Sequence, residues 1–167
     1  MTAIEKKERR KSIFKWNHIS EDLDDDIITE LKAYYRTYHK KSWAYKRAMK
    51  RFKKMKFAGD IASILFASGG IAATAATGGI ALIGVTGVSL IIQAWISYQS
   101  LDLKIHSCQY AYQTYDHILI RIREAMRLGN FNRDELVNSM TNVDSYVTDN
   151  SPPVDKFLKK WDETFID

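Results

Sequence analysis

Ile61 to Leu101 reads IASILFASGGIAATAATGGIALIGVTGVSLIIQAWISYQSL, forty-one consecutive residues without a charged side chain. The flanks are different. Residues 1–60 hold 17 Lys/Arg against 9 Asp/Glu, and residues 102–167 hold 8 against 11, so the formal net charge of +5 belongs to the N-terminal part. One membrane-spanning helix needs about 20 apolar residues, so the block is sized for two, with a break at Gly78-Gly79 that leaves arms of 17 and 22 residues. The second arm carries Ile80, Leu82, Ile83, Val85, Val88, Leu90, Ile91, Ile92 and Trp95. The first is diluted by alanine, and at 1.5 Å per residue it reaches about 25 Å against a hydrocarbon core of about 30 Å. It therefore needs extension through Met55 and Phe57, with Lys56 snorkelling to the headgroups. The pattern predicts a glycine-rich transmembrane hairpin over 59–100.

Small residues recur along both arms: Gly69, Ala73 and Thr77; Gly70, Thr74 and Gly78; then Gly79, Ala81, Gly84 and Gly87. Small side chains let helix backbones approach closely in lipid, which makes Gly69, Gly70, Ala73, Gly78, Gly79, Ala81, Gly84 and Gly87 a candidate helix-association seam and a homo-oligomer the expected assembly. A buried hairpin inside a helical bundle is the alternative for the same pattern. Lys32 to Lys56 contains eleven Lys/Arg and no acid. Basic flanks stay on the cytoplasmic side, so both termini are expected to be cytoplasmic, or to face the interior of a virion-like particle. No apolar run near Met1 predicts a cleavable signal, and neither Thr2 nor the C-terminus suits a lipid anchor.

The charged arms carry heptad spacing. Leu101, Ile105, Cys108, Tyr112, Tyr115, Leu119, Ile122 and Met126 alternate by four and three. Ile27, Leu31, Tyr34, Tyr38, Lys41, Tyr45, Ala48, Phe52 and Met55 do the same before the block, with Lys41 the one polar break. Alternation of four and three marks a two-helix seam, so an antiparallel coiled-coil stalk is expected, built on Leu31, Tyr38, Tyr45 and Phe52 against the return set. Two amphipathic helices packing on something else is the alternative. Ser20 before Glu21, Asp22, Asp24, Asp25 and Asp26 is the expected N-cap of the first helix, and Gly129-Asn130 stops the return helix. Asn132 caps a stretch with Leu136, Met140, Val143 and Val147; Ser151-Pro152 opens another with Val154, Phe157, Leu158, Trp161 and Phe165. These either fold back on the stalk or bind a protein partner. The expected organisation is an all-α chain: 1–19 a basic arm, 20–58 a basic amphipathic helix, 59–100 the hairpin, 101–128 the return helix, and 129–167 two short helices.

Composition sets the outer limits. With 46% hydrophobic and 27% charged residues the chain is neither a disordered tail nor a fibre. Two prolines and eight glycines favour helix. Cys108 is the lone cysteine, so no intrachain disulfide forms, and on the seam it reads as a small core residue. The histidines at 18, 39, 106 and 117 have no metal-ligand spacing. The Gly-Gly pairs lack the lysine of a phosphate loop. Glu21–Asp26 lacks the glycine and terminal glutamate of a calcium loop. No catalytic constellation and no cofactor is expected. The strongest chemical signal is Lys46, Arg47, Lys50, Arg51, Lys53, Lys54 and Lys56, a cluster suited to anionic headgroups or a nucleic-acid backbone. A topology signal without a ligand accounts for it equally.

Two resemblances extend this reading. Tyr35–Lys41 (YRTYHKK), Ala44-Tyr45-Lys46 and Tyr110–His117 (YAYQTYDH) around a charge-free hairpin resemble the SLATT class of two-span effectors, over about residues 30–127, which implies a pore-forming role. Glu8–Ser12, Ser20–Asp26 and Pro152–Phe157 resemble stretches of small proteins of self-synthesising DNA transposons and adintovirus-like elements, which implies a virus-derived setting. Together these readings predict a non-enzymatic membrane protein that anchors to or perturbs an anionic bilayer. The rival is a soluble, basic helical structural protein that binds nucleic acid within a particle or scaffold.

Overall fold

The computed structural model describes residues 19–77, 90–93, 95, 100–129 and 132–165, with the backbone alone over 65–77. The fold is all-helical, and no strand occurs among the described residues. Helix α1 spans Asp25–Thr77, α2 Leu101–Leu128, α3 Arg133–Asn150 and α4 Asp155–Phe165. Pro152 and Pro153 are the chain's two prolines, so nothing interrupts the amide ladder of α1, α2 or α3. They fall where α3 has ended and α4 has not begun.

The chain forms two compact units, residues 1–47 with 109–167, and residues 48–108. In the first, the early part of α1 and the later part of α2 run antiparallel. Arg123 lies over the Tyr35 ring at 5.9 Å, Tyr115 meets Tyr45 at 5.8 Å, and Lys46 lies 5.0 Å from the Tyr112 centroid. Leu31, Tyr35, Tyr38, Ser42 and Tyr45 are buried on α1, and Tyr115, Ile118, Leu119, Ile122 and Met126 on α2. Leu136, Met140 and Val147 of α3 and Trp161 of α4 complete this core. Spacings of three, four and seven keep each set on one helical face. Burying a side chain such as Leu31, Leu119 or Ile122 contributes about 1.5–3 kcal/mol.

Helix ends follow local chemistry. The Asn132 side chain accepts from the Glu135 amide at 3.2 Å and caps α3. Asp25 and Asp26 occupy the first turn of α1, favourable to its dipole. Ser20 is not the cap of α1, which corrects the sequence expectation. That helix begins at Asp25, with the Ile28 amide on the Asp24 carbonyl, and Ser20 instead donates its amide to Met126 O at 2.9 Å. Gly129 ends α2 at φ +69°, its amide donating to Ala125 O at 3.1 Å, the left-handed termination that favours glycine. A Cβ there would also lie 2.7 Å from Ser20 Oγ.

The second unit joins the remainder of α1 to the start of α2. Ala48, Ser63, Leu101, Ile105 and Cys108 are buried in it, and Lys56 pairs with Asp102 at 2.6 Å. Ser100 precedes α2 at φ +47° and accepts from the Lys104 amide.

The membrane reading is corrected here. No helix among the described residues is long and apolar enough to cross a membrane. The transmembrane hairpin, the membrane location with cytoplasmic termini and the pore-forming or membrane-perturbing role all depended on such a helix. The described uncharged part of α1, Ile61–Thr77, is diluted by alanine, glycine, serine and threonine. The extension that was to lengthen it is polar: Lys56 is held by Asp102 instead of reaching for headgroups, and Asp60 is exposed. Nor does the return run pass unbroken into α2, because the left-handed Ser100 separates them. The proposed turn at Gly78-Gly79 and most of the second arm lie outside the described residues.

Gly129→Ala combines a disfavoured φ with contact against Ser20. Loss of about 1–3 kcal/mol is expected in urea unfolding. Adding Ser20→Gly should recover only the part due to crowding. A G129A chain as stable as the parent would mean that α2 ends differently.

Candidate functional site

In the second unit, α1 advances about 100° per residue, which places Lys50, Lys53, Lys54, Phe57, Ile61 and Ile64 on one face. All six are exposed, whereas Ala48 and Ser63 on the opposite side are buried and Phe52 and Met55 half-buried. Arg51 is exposed at the flank. The core therefore orients this stretch, and the basic residues project away from it.

Their density distinguishes them: Lys50, Arg51, Lys53 and Lys54 are four exposed cations within five residues. Four cations of the first unit are paired: Lys40 with Asp162 at 2.7 Å, Lys41 with Asp144 at 2.7 Å, Arg121 with Glu135, and Arg133 with Glu30 at 2.8 Å. Lys56 joins Asp102, whose carboxylate raises the lysine's pKa. Among the described residues, no carboxylate pairs with Lys50, Arg51, Lys53 or Lys54. Lys46 and Arg47 belong to the first unit and lie over rings there, Lys46 on Tyr112 and Arg47 on Trp43 at 4.9 Å. The seven-residue cluster read from the sequence thus divides into four uncompensated cations, two ring-bound ones and one ion pair.

The first unit has a polar centre of its own. Asp144 of α3 accepts from Tyr38 at 2.9 Å, from Lys41 at 2.7 Å to each oxygen, and from Tyr115 at 3.0 Å. Lys41, the break in the apolar seam, meets this carboxylate. Burial first, and Asp144 second, raise the pKa values of both tyrosines far above the usual phenol range. Both stay protonated and donate.

Seam residues Leu31, Tyr38, Tyr45, Leu101, Ile105, Cys108, Tyr115, Leu119 and Ile122 are buried, and Phe52 and Tyr112 half-buried. Burial raises the Cys108 thiol to about 11, so it is a poor nucleophile at neutral pH. Gly69, Gly70 and Ala73 lie in α1, whereas Gly78, Gly79, Ala81, Gly84 and Gly87 fall outside the described residues. No metal-holding group of three His, Cys, Asp or Glu side chains occurs among the described residues. The sequence reading overlooked Asp144, whose signal was the Lys41 break, and Phe57, which it had assigned to a membrane span. No known protein family, characterised protein or solved structure matches the chain.

His39 stacks on Tyr35 and meets Trp161 edge-on at 5.2 Å. Burial, then Arg123, lowers its pKa, while Asp116 opposes them. A depressed imidazole leaves the unfolded chain binding the proton first as pH falls below about 6.5. Stability should therefore decline from there down to the native His39 pKa, by up to about 1.4 kcal/mol per pH unit. The difference between parent and His39→Phe unfolding curves isolates this component. Parallel curves from pH 7 to 5 would exclude it.

Asp144→Asn should cost about 1–3 kcal/mol by leaving Lys41 without its charge partner. Lys41→Met with Asp144→Asn should recover part of that loss, because paired removal leaves no orphan charge while an amide oxygen still accepts from Tyr38 and Tyr115. Additive losses in the double-mutant cycle would show that the two do not act together.

Proposed function

We propose that this protein is a non-catalytic helical binding protein whose exposed cations Lys50, Arg51, Lys53 and Lys54 engage a nucleic-acid backbone. In this reading α1 and α2 form an antiparallel coiled coil that fixes the helix presenting them. The observation that carries it is the concentration of four exposed cations within five residues, none of them paired with a carboxylate among the described residues. Four positive charges within five residues raise a local field that favours a polyanion over an isolated anion. A nucleic-acid backbone supplies charge at that density, with about one phosphate per 1.7 Å of duplex axis. The buried, high-pKa Cys108 supports a binding role over a thiol-based reaction.

Electrostatic binding of this kind has a defined salt signature. Each phosphate neutralised adds about 0.9 to the slope of log affinity against log salt for a duplex. Four contacts give a slope of up to about 3.6. In fluorescence anisotropy the parent chain should bind labelled DNA at low salt and release it steeply as salt rises. Lys50→Glu, Arg51→Glu, Lys53→Glu and Lys54→Glu together should abolish binding with little change in unfolding midpoint, since all four are exposed. Equal affinity and slope in the quadruple variant would refute the assignment.

A further inference from the structure

Phe57 is 66% exposed. It stands three and four residues beyond Lys54 and Lys53, on the face that also presents Lys50. Side chains at those spacings are neighbours, with Cβ atoms about 5–6 Å apart. An aromatic ring on the surface loses the benefit of burial, and its position one turn from uncompensated cations gives it a use. Resting on the nucleic-acid reading above, we propose that this face is a site for single-stranded nucleic acid, in which a base stacks on Phe57 while Lys50, Lys53 and Lys54 hold the adjoining phosphates.

The choice of single strand follows from what each form offers. A duplex presents phosphates outward and keeps the faces of its bases stacked inside, so Phe57 gains nothing from it. A single strand turns bases outward, and every base has a face on which an aromatic ring can stack. Cations beside an exposed ring are the combination that serves such strands without sequence preference. Ile61 and Ile64 continue the exposed apolar edge beyond Phe57, so a second base also meets an apolar surface. Asp60, exposed at the side of the face, repels phosphate. The backbone is thereby directed along Lys50–Lys54 and the bases over the ring.

The probe is a short fluorescein-labelled oligothymidylate, compared with a duplex of the same length at equal salt. The parent chain should bind the single strand more tightly. Phe57→Ala should weaken single-strand binding about 5- to 150-fold, the range for losing one stacked base, while duplex binding, salt slope and unfolding midpoint stay as in the parent. Phe57→Trp should restore the single-strand affinity. If the parent binds and the quadruple glutamate variant does not, but F57A binds the single strand as the parent does, the stacking site is refuted and the basic face stands. If the parent binds neither nucleic acid, the functional reading itself fails. Light scattering supplies the other outcome: a parent dimer that F57A dissolves, with oligothymidylate binding unchanged, would make the face a contact between two copies and overturn the proposal.

Discussion

A single carboxylate organises the first unit. Asp144 draws Tyr38 and Lys41 from α1 and Tyr115 from α2 to two oxygens on α3, so three helices share one polar centre. Hydrophobic burial is non-directional and tolerates sliding. A carboxylate that accepts from three named donors does not, because a shift of one helical turn would leave Lys41 without its partner charge. Around it, Leu31, Ile122 and Met126 supply area, and Val147 on α3 packs one turn beyond Asp144. The apolar core provides most of the stabilisation; the polar centre specifies the register in which it forms.

The same accounting separates structural charge from available charge. Lys40, Lys41, Arg121 and Arg133 are each held by an acid of another helix, and that is how α3 and α4 meet the long helices. Acids are in surplus after residue 101 and basic residues before residue 61, so pairing between these regions uses up part of the imbalance. Lys32–Lys56 contains no acid of its own. Its cations therefore depend on distant carboxylates, and those on the outer face of α1 at 50, 53 and 54 have none among the described residues. Paired cations thus tie helices to one another, whereas Lys50, Arg51, Lys53 and Lys54 stay exposed.

The all-helical fold was legible because few residues oppose it: prolines are confined to 152–153, and the apolar positions repeat at three and four. Asn132 and Gly129 were legible as helix punctuation for the same local reasons. Register detail was less so. A strict heptad selects Tyr34 and Lys41, but a helix of 3.6 residues per turn drifts about 20° per heptad. Tyr35 and Ser42 are the buried residues instead, and Tyr34 is half-exposed with its hydroxyl 2.6 Å from Glu30. Lys41 then reaches Asp144, a residue more than a hundred positions away, which no local pattern reveals. Ser20 carried every mark of an N-cap and is used elsewhere, because the α2 terminus provides a carbonyl that local sequence does not foresee.

The membrane reading erred by treating absence of charge as if it were apolarity. Alanine, glycine, serine and threonine make a stretch uncharged without making it strongly apolar, and no helix among the described residues is long and apolar enough to cross a membrane. Lys56 and Phe57 show the consequence residue by residue. For a spanning helix both had to be assigned to the bilayer edge, the lysine stretched toward headgroups and the ring buried in acyl chains. In the structure one residue of rotation separates their fates: Lys56 turns to Asp102, and Phe57 faces outward beside Lys53 and Lys54. The same side chains that seemed to lengthen a hydrophobic segment are thus divided between an ion pair that secures the helix and an exposed ring at the edge of its basic face. On that face three cations, Lys50, Lys53 and Lys54, are followed by one exposed ring, Phe57, and two exposed isoleucines, Ile61 and Ile64.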